Sequence, residues 1–506
     1  MVDQPSAHAD SSRGSQCPEL GFHFISSSSG APAYRRRGRV TGRRETGILF
    51  MVFAIAAILV SLLPVELSAG QQRAPAPVAE ETSSREPPTL ALVGGQVVDG
   101  YGGAPIQNGV VLISGERIVA VGAAHEVVVP PGTEIIDTRG MTLLPGLFDM
   151  HVHLQLLGHG DYARWHELYG SRIASEVMPI AARQLLEAGV TSARDLGASL
   201  DDVLEVRRRI EQGEIPGPRL FVSGPFIQEA PYHAYEEAYR WGVDGPAEAR
   251  AKVEEIVEAG ADVIKLIDQD LMDEEAVRAV VSTAHAHGVP VVAHAHRAEE
   301  IRVGLRHGVD NFEHTGLGTA PFFPEDVVAG LQERNTSLYW TPTVSPLYVM
   351  RYSAEDFPAR LEAPGWQEGM TEEMAEEIKA SISDIRALPY YALFPSRIPL
   401  LPRKFEQLRE AGVRLLIGTD AGIPTMFHND AIWREMALWV ELGVPPMEVI
   451  QAATLWPARF QGVQDDLGTL APGKLADVVV VEGDPLAHMA LMSQVRVVLK
   501  GGRRVR

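Results

Sequence analysis

Apolar positions change their spacing several times along the chain, and each change predicts a different kind of element. Residues 1–34 are Ser-, Gly-, Ala- and Pro-rich without hydrophobic periodicity and predict no fold. An almost unbroken apolar run follows at 48–63 (ILFMVFAIAAILVSLL), and residues 71–88 return to a Pro-rich polar stretch that predicts a flexible tether. From 89 to 144 short β-type runs recur between turns: TLALVGGQVVDG, GVVLISGERIVAVG and HEVVVPPGTEIIDT. The same texture returns over 468–506 in LADVVVVEGDP and VRVVLKGGRRV, strands with no helix expected between them. Two terminal sets of strands therefore predict one composite β-sandwich domain, with parts at 89–144 and 468–506.

Between them, over 145–467, apolar strands alternate with segments of helical spacing such as PIAARQLLEAG and AEARAKVEEIVEAGA. Eight strands can be counted: GLFDMHVH, VTSARDL, RLFVSG, DVIKLI, VPVVAHAH, DNFEHT, SLYWTPT and RLLIGTD. Eight β/α repeats predict an α/β fold of the (β/α)8 TIM-barrel type. The longest break, residues 347–402, is partly helical and aromatic, and reads either as a lid over the barrel mouth or as a packed outer insertion.

Charge and cysteine content narrow the function classes. Lys plus Arg number 45 against 66 Asp plus Glu, a formal net charge of −21, which argues against nucleic acid as a partner. The single cysteine, Cys17, excludes cysteine proteases, zinc fingers and disulfide scaffolds over the rest of the chain. Arg35, Arg36, Arg37, Arg39, Arg43 and Arg44 precede the apolar run, and Ser68-Ala69-Gly70 follows it. Basic, apolar, then small is the order of an export signal, so residues 1–70 predict a leader and a periplasmic or secreted protein. The competing reading is an uncleaved helix at 48–63 anchoring the protein in the membrane.

Five of the eight strands end in residues able to bind a metal, where barrel active sites are built. His151 and His153 are two apart on one strand and share a face. Lys265 lies in ADVIKLI, where an ammonium is poorly solvated; its bland reading is a core lysine paired with Asp268. His294 and His296 share a face of the fifth strand, His314 ends the sixth and Asp420 the eighth. Imidazole and carboxylate ligands without thiolate suit Zn²⁺ ahead of Mn²⁺ or Fe²⁺. A carbamylated Lys265, bearing CO₂ on its amine, would bridge two such ions, whose hydroxide would attack a carbonyl, with Asp420 as ligand and general base. Arg194 and Asp195, in SARDLG, read as a structural pair.

PGLFDMHVHL, VTSARDLG, GPRLFVSG, GADVIKLI, VAHAH followed by EHT, GTDAG and LGTLAPGKLADVVVVEGDP together resemble the amidohydrolase superfamily. The match is nearest to its imidazolonepropionase-like group with the binuclear-zinc Xaa-Pro dipeptidases. That resemblance implies two divalent metal ions on His151, His153, Lys265, His294, His314 and Asp420, and selects His294 over His296 as the ligand. His296 then faces the substrate, where relatives often carry tyrosine, or merely fills the barrel interior. The Gly-Gly-His stretch of relatives after the third strand is replaced here by GPFIQEAPYHAYEE, leaving Tyr232 and His233 as stand-ins; His159 is unmatched, and His428 is either a pocket residue or simply exposed. The implied activity is hydrolysis of a C–N bond in a small molecule, a dipeptide or N-acyl amino acid. A lactonase or phosphotriesterase is the near rival and a non-catalytic barrel the distant one. A homo-oligomer is common in the group, with no interface legible in the residues.

Overall fold

The computed structural model describes residues 88–506 except 231–232, 317, 319, 356–358, 364 and 389–390. The leader, the apolar run and most of the tether, and also Tyr232, lie outside the described residues. Among the described residues no helix is long and apolar enough to cross a membrane.

Strands from the two ends of the described chain pair directly. Val478–Glu482 lies antiparallel to both Met141–Pro145 and Val495–Lys500 within a five-stranded sheet. A four-stranded sheet of Leu90–Val93, Gly109–Ser114, Arg117–Ala123 and Glu134–Asp137 stands beside it. The valine run reads as strand because successive side chains take opposite faces and both faces are buried. Val478 and Val480 join Leu92, Val111 and Ile113 in one apolar cluster, whereas Val479 and Val481 belong to the main core with Leu147 and Val190. Between Val478–Glu482 and Val495–Lys500 sits a short 3-10 helix, Met489–Ser493, so the absence of helix expected there is corrected. Its Met489 and Met492 are buried, which draws that link onto the core.

The middle of the chain alternates strand and helix as its spacing predicts. In Leu200–Glu211, Leu200, Val203, Val206 and Ile210 are buried along one face. Asp201 and Asp202 stand in its first turn and Arg208 and Arg209 in its last, complementing the helix dipole. Nine strand segments, two of them pieces of the third strand, run in chain order and pair only in parallel. Leu147–Val152 pairs with Val190–Asp195, and that with Arg219–Val222. The third strand is interrupted and resumes at Phe226–Gln228, which pairs with Ile264–Leu266. Val291–His294, Asn311–Glu313, Tyr339–Thr341 and Arg414–Leu415 follow.

Beyond Leu415 the chain turns back on the first strand: the Met150 N–H donates to Ile417 O at 3.0 Å and the Asp420 N–H to His151 O at 2.8 Å. Gly418 permits that approach, because a Cβ there would stand 3.0 Å from the His151 nitrogen and inside the Thr341 side chain. Asp149 fastens the same seam, accepting from the Thr419 N–H at 3.0 Å and from its hydroxyl at 2.6 Å. The long break contains the helices Ser345–Glu355 and Glu372–Ser381. It packs inward, with Leu347, Met350 and Phe394 reaching the cavity described next.

Candidate metal centre

His151, His153, His294, His296, His314 and Asp420 converge where the strands end. His151 is fully buried, with Nδ1 2.8 Å from Glu313 Oε2. That carboxylate accepts from the Nδ1–H and leaves Nε2 facing Asp420 Oδ1 at 3.5 Å, with no hydrogen-bond partner. His153 Nε2 lies 3.1 Å from the same Asp420 oxygen. Across the site His314 Nε2 stands 3.0 Å from His294 Nδ1, and His314 Nδ1 is 2.8 Å from Thr343 Oγ1. The His296 ring centre is 4.5 Å from that of His314 and 4.8 Å from that of His294. Two donor groups, His151/His314/Asp420 and His294/His296/His314, each hold their ligand atoms within 4.8 Å of one another.

His314, Thr343 and Asp420 all adopt left-handed backbone, at φ +74°, +41° and +59°. Such conformations cost roughly 1–3 kcal/mol each in a non-glycine residue and gather at functional sites.

Lys265 is wholly buried, and its Nζ has no hydrogen-bond partner. Burial pulls its ammonium down to about 8; Glu313 and Asp420 resist that shift and Arg194 adds to it. Asp268 is therefore not its partner: Asp268 is bound by Arg297 at 2.7 Å. Burial holds His151 at about 4 against the pull of Asp420 and Glu313, and holds His296 at about 3. Burial, with Lys265 among the neighbouring charges, drives His294 and His314 well below the ordinary imidazole value. Burial alone would raise Asp420, but His151, His153 and Lys265 outweigh it and hold the carboxyl at about 2. Neutral imidazoles around an ionised carboxylate are the protonation states a divalent cation requires. The unpartnered His151 Nε2 and Lys265 Nζ also fit such an ion, since buried polar atoms are otherwise satisfied.

A third acidic group, Asp268, Asp270 and Glu300, is closed by a guanidinium: Arg297 Nη2 lies 2.7, 2.6 and 3.0 Å from them. Glu300 Oε2 accepts from the His296 and Arg297 N–H groups at 2.6 Å each, fixing the loop that presents His296.

The cavity over the site, about 180 Å³, is lined by His153, His294, His296, His314 and Asp420 on one side and by Phe226, Tyr239, Arg240 and the inserted helices on the other. The other sequence candidates fall elsewhere. His233 is exposed and stacks on Tyr235 rather than lining the cavity. His428 is buried, not exposed, and is not among the lining residues. His159 is buried against Trp165, its Nδ1 accepting from the Asp161 N–H at 3.0 Å. Arg194 does not pair with Asp195. It reaches Glu313 Oε1 at 2.6 Å, while Asp195 accepts from the Leu154 and Gly197 N–H groups, because the two side chains take opposite faces of one strand. Glu313 was passed over in the sequence; a carboxylate inside an apolar strand, beside His314, was the available signal.

Residues 142–505 match the model of the amidohydrolase family. The chain belongs to the amidohydrolase family. This amidohydrolase is 25% identical over 381 residues to an uncharacterised protein of Mycobacterium tuberculosis, covering 72% of its own length and 85% of that protein's. It is 23% identical over 444 residues to an adenine deaminase of Moorella thermoacetica, covering 84% of its own length and 61% of that enzyme's. Among solved structures it resembles a Xaa-Pro dipeptidase with methionine bound in the active site, at TM-score 0.64 and 25% identity over 82% of this chain and 99% of that one. The family generally binds divalent metals, and the amidohydrolase is a hydrolase with candidate donor groups of that kind.

Proposed function

We propose that this amidohydrolase cleaves the C–N amide bond of a dipeptide or N-acyl amino acid. His151, His153, His294, His314, Asp420 and a carbamylated Lys265 would hold two divalent cations, Zn²⁺ by the chemistry of the donors. The observation that carries the reading is the Lys265 amine, buried and without a hydrogen-bond partner among these residues. A lysine lowered to about 8 is partly neutral at physiological pH, and the neutral amine adds CO₂ with loss of one proton. Cations bound there supply Lewis acidity toward a carbonyl and an acidified water. Asp420, ionised and 3.1 Å from His153, is placed to take a proton from the attacking water and pass it to the leaving amine. His296, on the cavity wall, faces the substrate carbonyl.

The same reading makes the parallel strands of the middle stretch, with the third counted once, a (β/α)8 barrel over 145–467 and the paired terminal strands a β-sandwich over 89–144 and 468–506. The return hydrogen bonds from Ile417 and Asp420 support the first, and the shared Val478 and Val480 cluster supports the second. It also has the enzyme exported, with residues 1–70 removed as a leader; amino-terminal sequencing of the protein recovered from the cell envelope tests this. An intact amino terminus in the membrane fraction would instead establish an anchor at 48–63.

The activity is tested with protein beginning at Gln71, reconstituted with zinc and bicarbonate and offered dipeptides, N-acyl amino acids, lactones and phosphotriesters together. Mass spectrometry should show selective loss of the amides, abolished by a chelator. Loss of lactones or phosphotriesters alone, or of nothing, overturns the reading.

A further inference from the structure

Arg240 opens the strand Arg240–Gly242, which lies parallel to Phe226–Gln228 with Arg240 opposite Phe226. Its guanidinium is 5.1 Å from the Phe226 ring centre and 5.7 Å from that of Tyr239. Nη1 donates to Gln228 Oε1 at 3.1 Å, and Nε lies 3.3 Å from the buried Glu236 carboxylate. The group is thus held in place before any ligand arrives, on a wall otherwise built from Phe226, Ile267, Leu347, Met350 and Phe394.

The same Phe226 ring is 6.0 Å from His153 and 6.4 Å from His294, so one phenyl ring separates the guanidinium from the metal-type residues. In a peptide bond to an α-amino acid, three bonds, under roughly 4 Å, separate the scissile carbonyl carbon from the carboxylate carbon. Arg240, His153 and His294 line one cavity, so a substrate lying in it can turn its carbonyl to the histidines and its carboxylate to Arg240. A planar guanidinium among aromatic rings suits a carboxylate, through paired charge-assisted hydrogen bonds strengthened by the apolar wall.

We infer that Arg240 sets the specificity of the amide hydrolysis by binding the carboxylate of the leaving amino acid. The inference rests on the amide-hydrolase reading above. Water adds across the C–N bond, releasing the acyl carboxylate and a zwitterionic amino acid.

The test pairs N-acetyl amino acids with their carboxamides, using the zinc-loaded full chain, R240Q and R240K. The native enzyme should prefer the free acid at least about tenfold in kcat/KM, with the preference falling to within a few fold of unity in R240Q and to an intermediate value in R240K. R240K retains a cation against Glu236, which keeps the test open should R240Q fail to fold. Equal rates on acid and carboxamide in the native enzyme, or a preference unchanged in both variants, overturns the inference. Cleavage of neither compound overturns the amide reading instead, and calorimetry with L-leucine and L-leucinamide then decides the role of Arg240. Binding that needs the carboxylate and is lost in the variants supports it, and any other pattern removes it.

Discussion

His151 Nδ1 and Glu313 Oε2 meet at 2.8 Å, both side chains fully buried, although 162 residues separate them. Glu313 accepts from Arg194 Nη2 through its other oxygen at 2.6 Å, and that ion pair keeps the carboxylate charged without water. Burial alone would raise the Glu313 carboxyl, yet Arg194, His151 and Lys265 together hold it below its usual value. The consequence for His151 is a fixed tautomer and a fixed ring, with Nε2 aimed at the site.

Glu313→Gln removes that charge while keeping the shape. It should weaken zinc binding about 10- to 100-fold and lower the melting temperature, since Arg194 is left uncompensated. Competition against a fluorescent chelator measures the first and calorimetry the second; native zinc affinity in E313Q would show that Glu313 does not position His151.

Lys265→Ala should lower the metal content from two ions per chain to one or fewer and remove most turnover. Elemental analysis by mass spectrometry with parallel rate measurements checks it. Unchanged metal content and rate would sink the binuclear arrangement, because no other described lysine reaches this cluster.

Asp420→Asn should leave the fold and much of the metal in place, since the Asp420 backbone bond to His151 O is retained. Turnover should fall by at least about 100-fold for want of a proton acceptor. An active D420N enzyme would remove the carboxylate from the proton path.

Acid sensitivity of the metal-free protein follows from its buried histidines. Burial holds His428 at about 3, against a smaller opposing effect of the His153 backbone, so the folded chain keeps it neutral where the unfolded chain protonates it. Stability from this group is present above about 6.5 and is lost as pH falls toward 3, by at most about 1.4 kcal/mol per pH unit. Asp149 acts oppositely: burial raises it to about 7, so its contribution is present below about 4 and lost as pH rises through 7. Denaturant titrations of native and H428N protein between pH 4 and 7 should diverge in slope; parallel curves would mean that His428 is not buried neutral.

Sequence alone determined the alternation of strands and helices, the strand-rich segments at the two ends, and the metal-type residues at the strand ends. Each of these is local: valine runs and helical spacing declare their element within a dozen residues, and a histidine just after an apolar strand must emerge at its end. Pairings across the fold were decided only by tertiary structure, because hydrogen bonds and buried ion pairs depend on distances between distant segments. Thus Arg194 took Glu313 and not its neighbour Asp195, and Asp268 took Arg297 and not Lys265. His233 went to solvent while Arg240, seven residues further on, entered the cavity, since pairing with Phe226–Gln228 turned one side chain inward and left the other on the preceding turn.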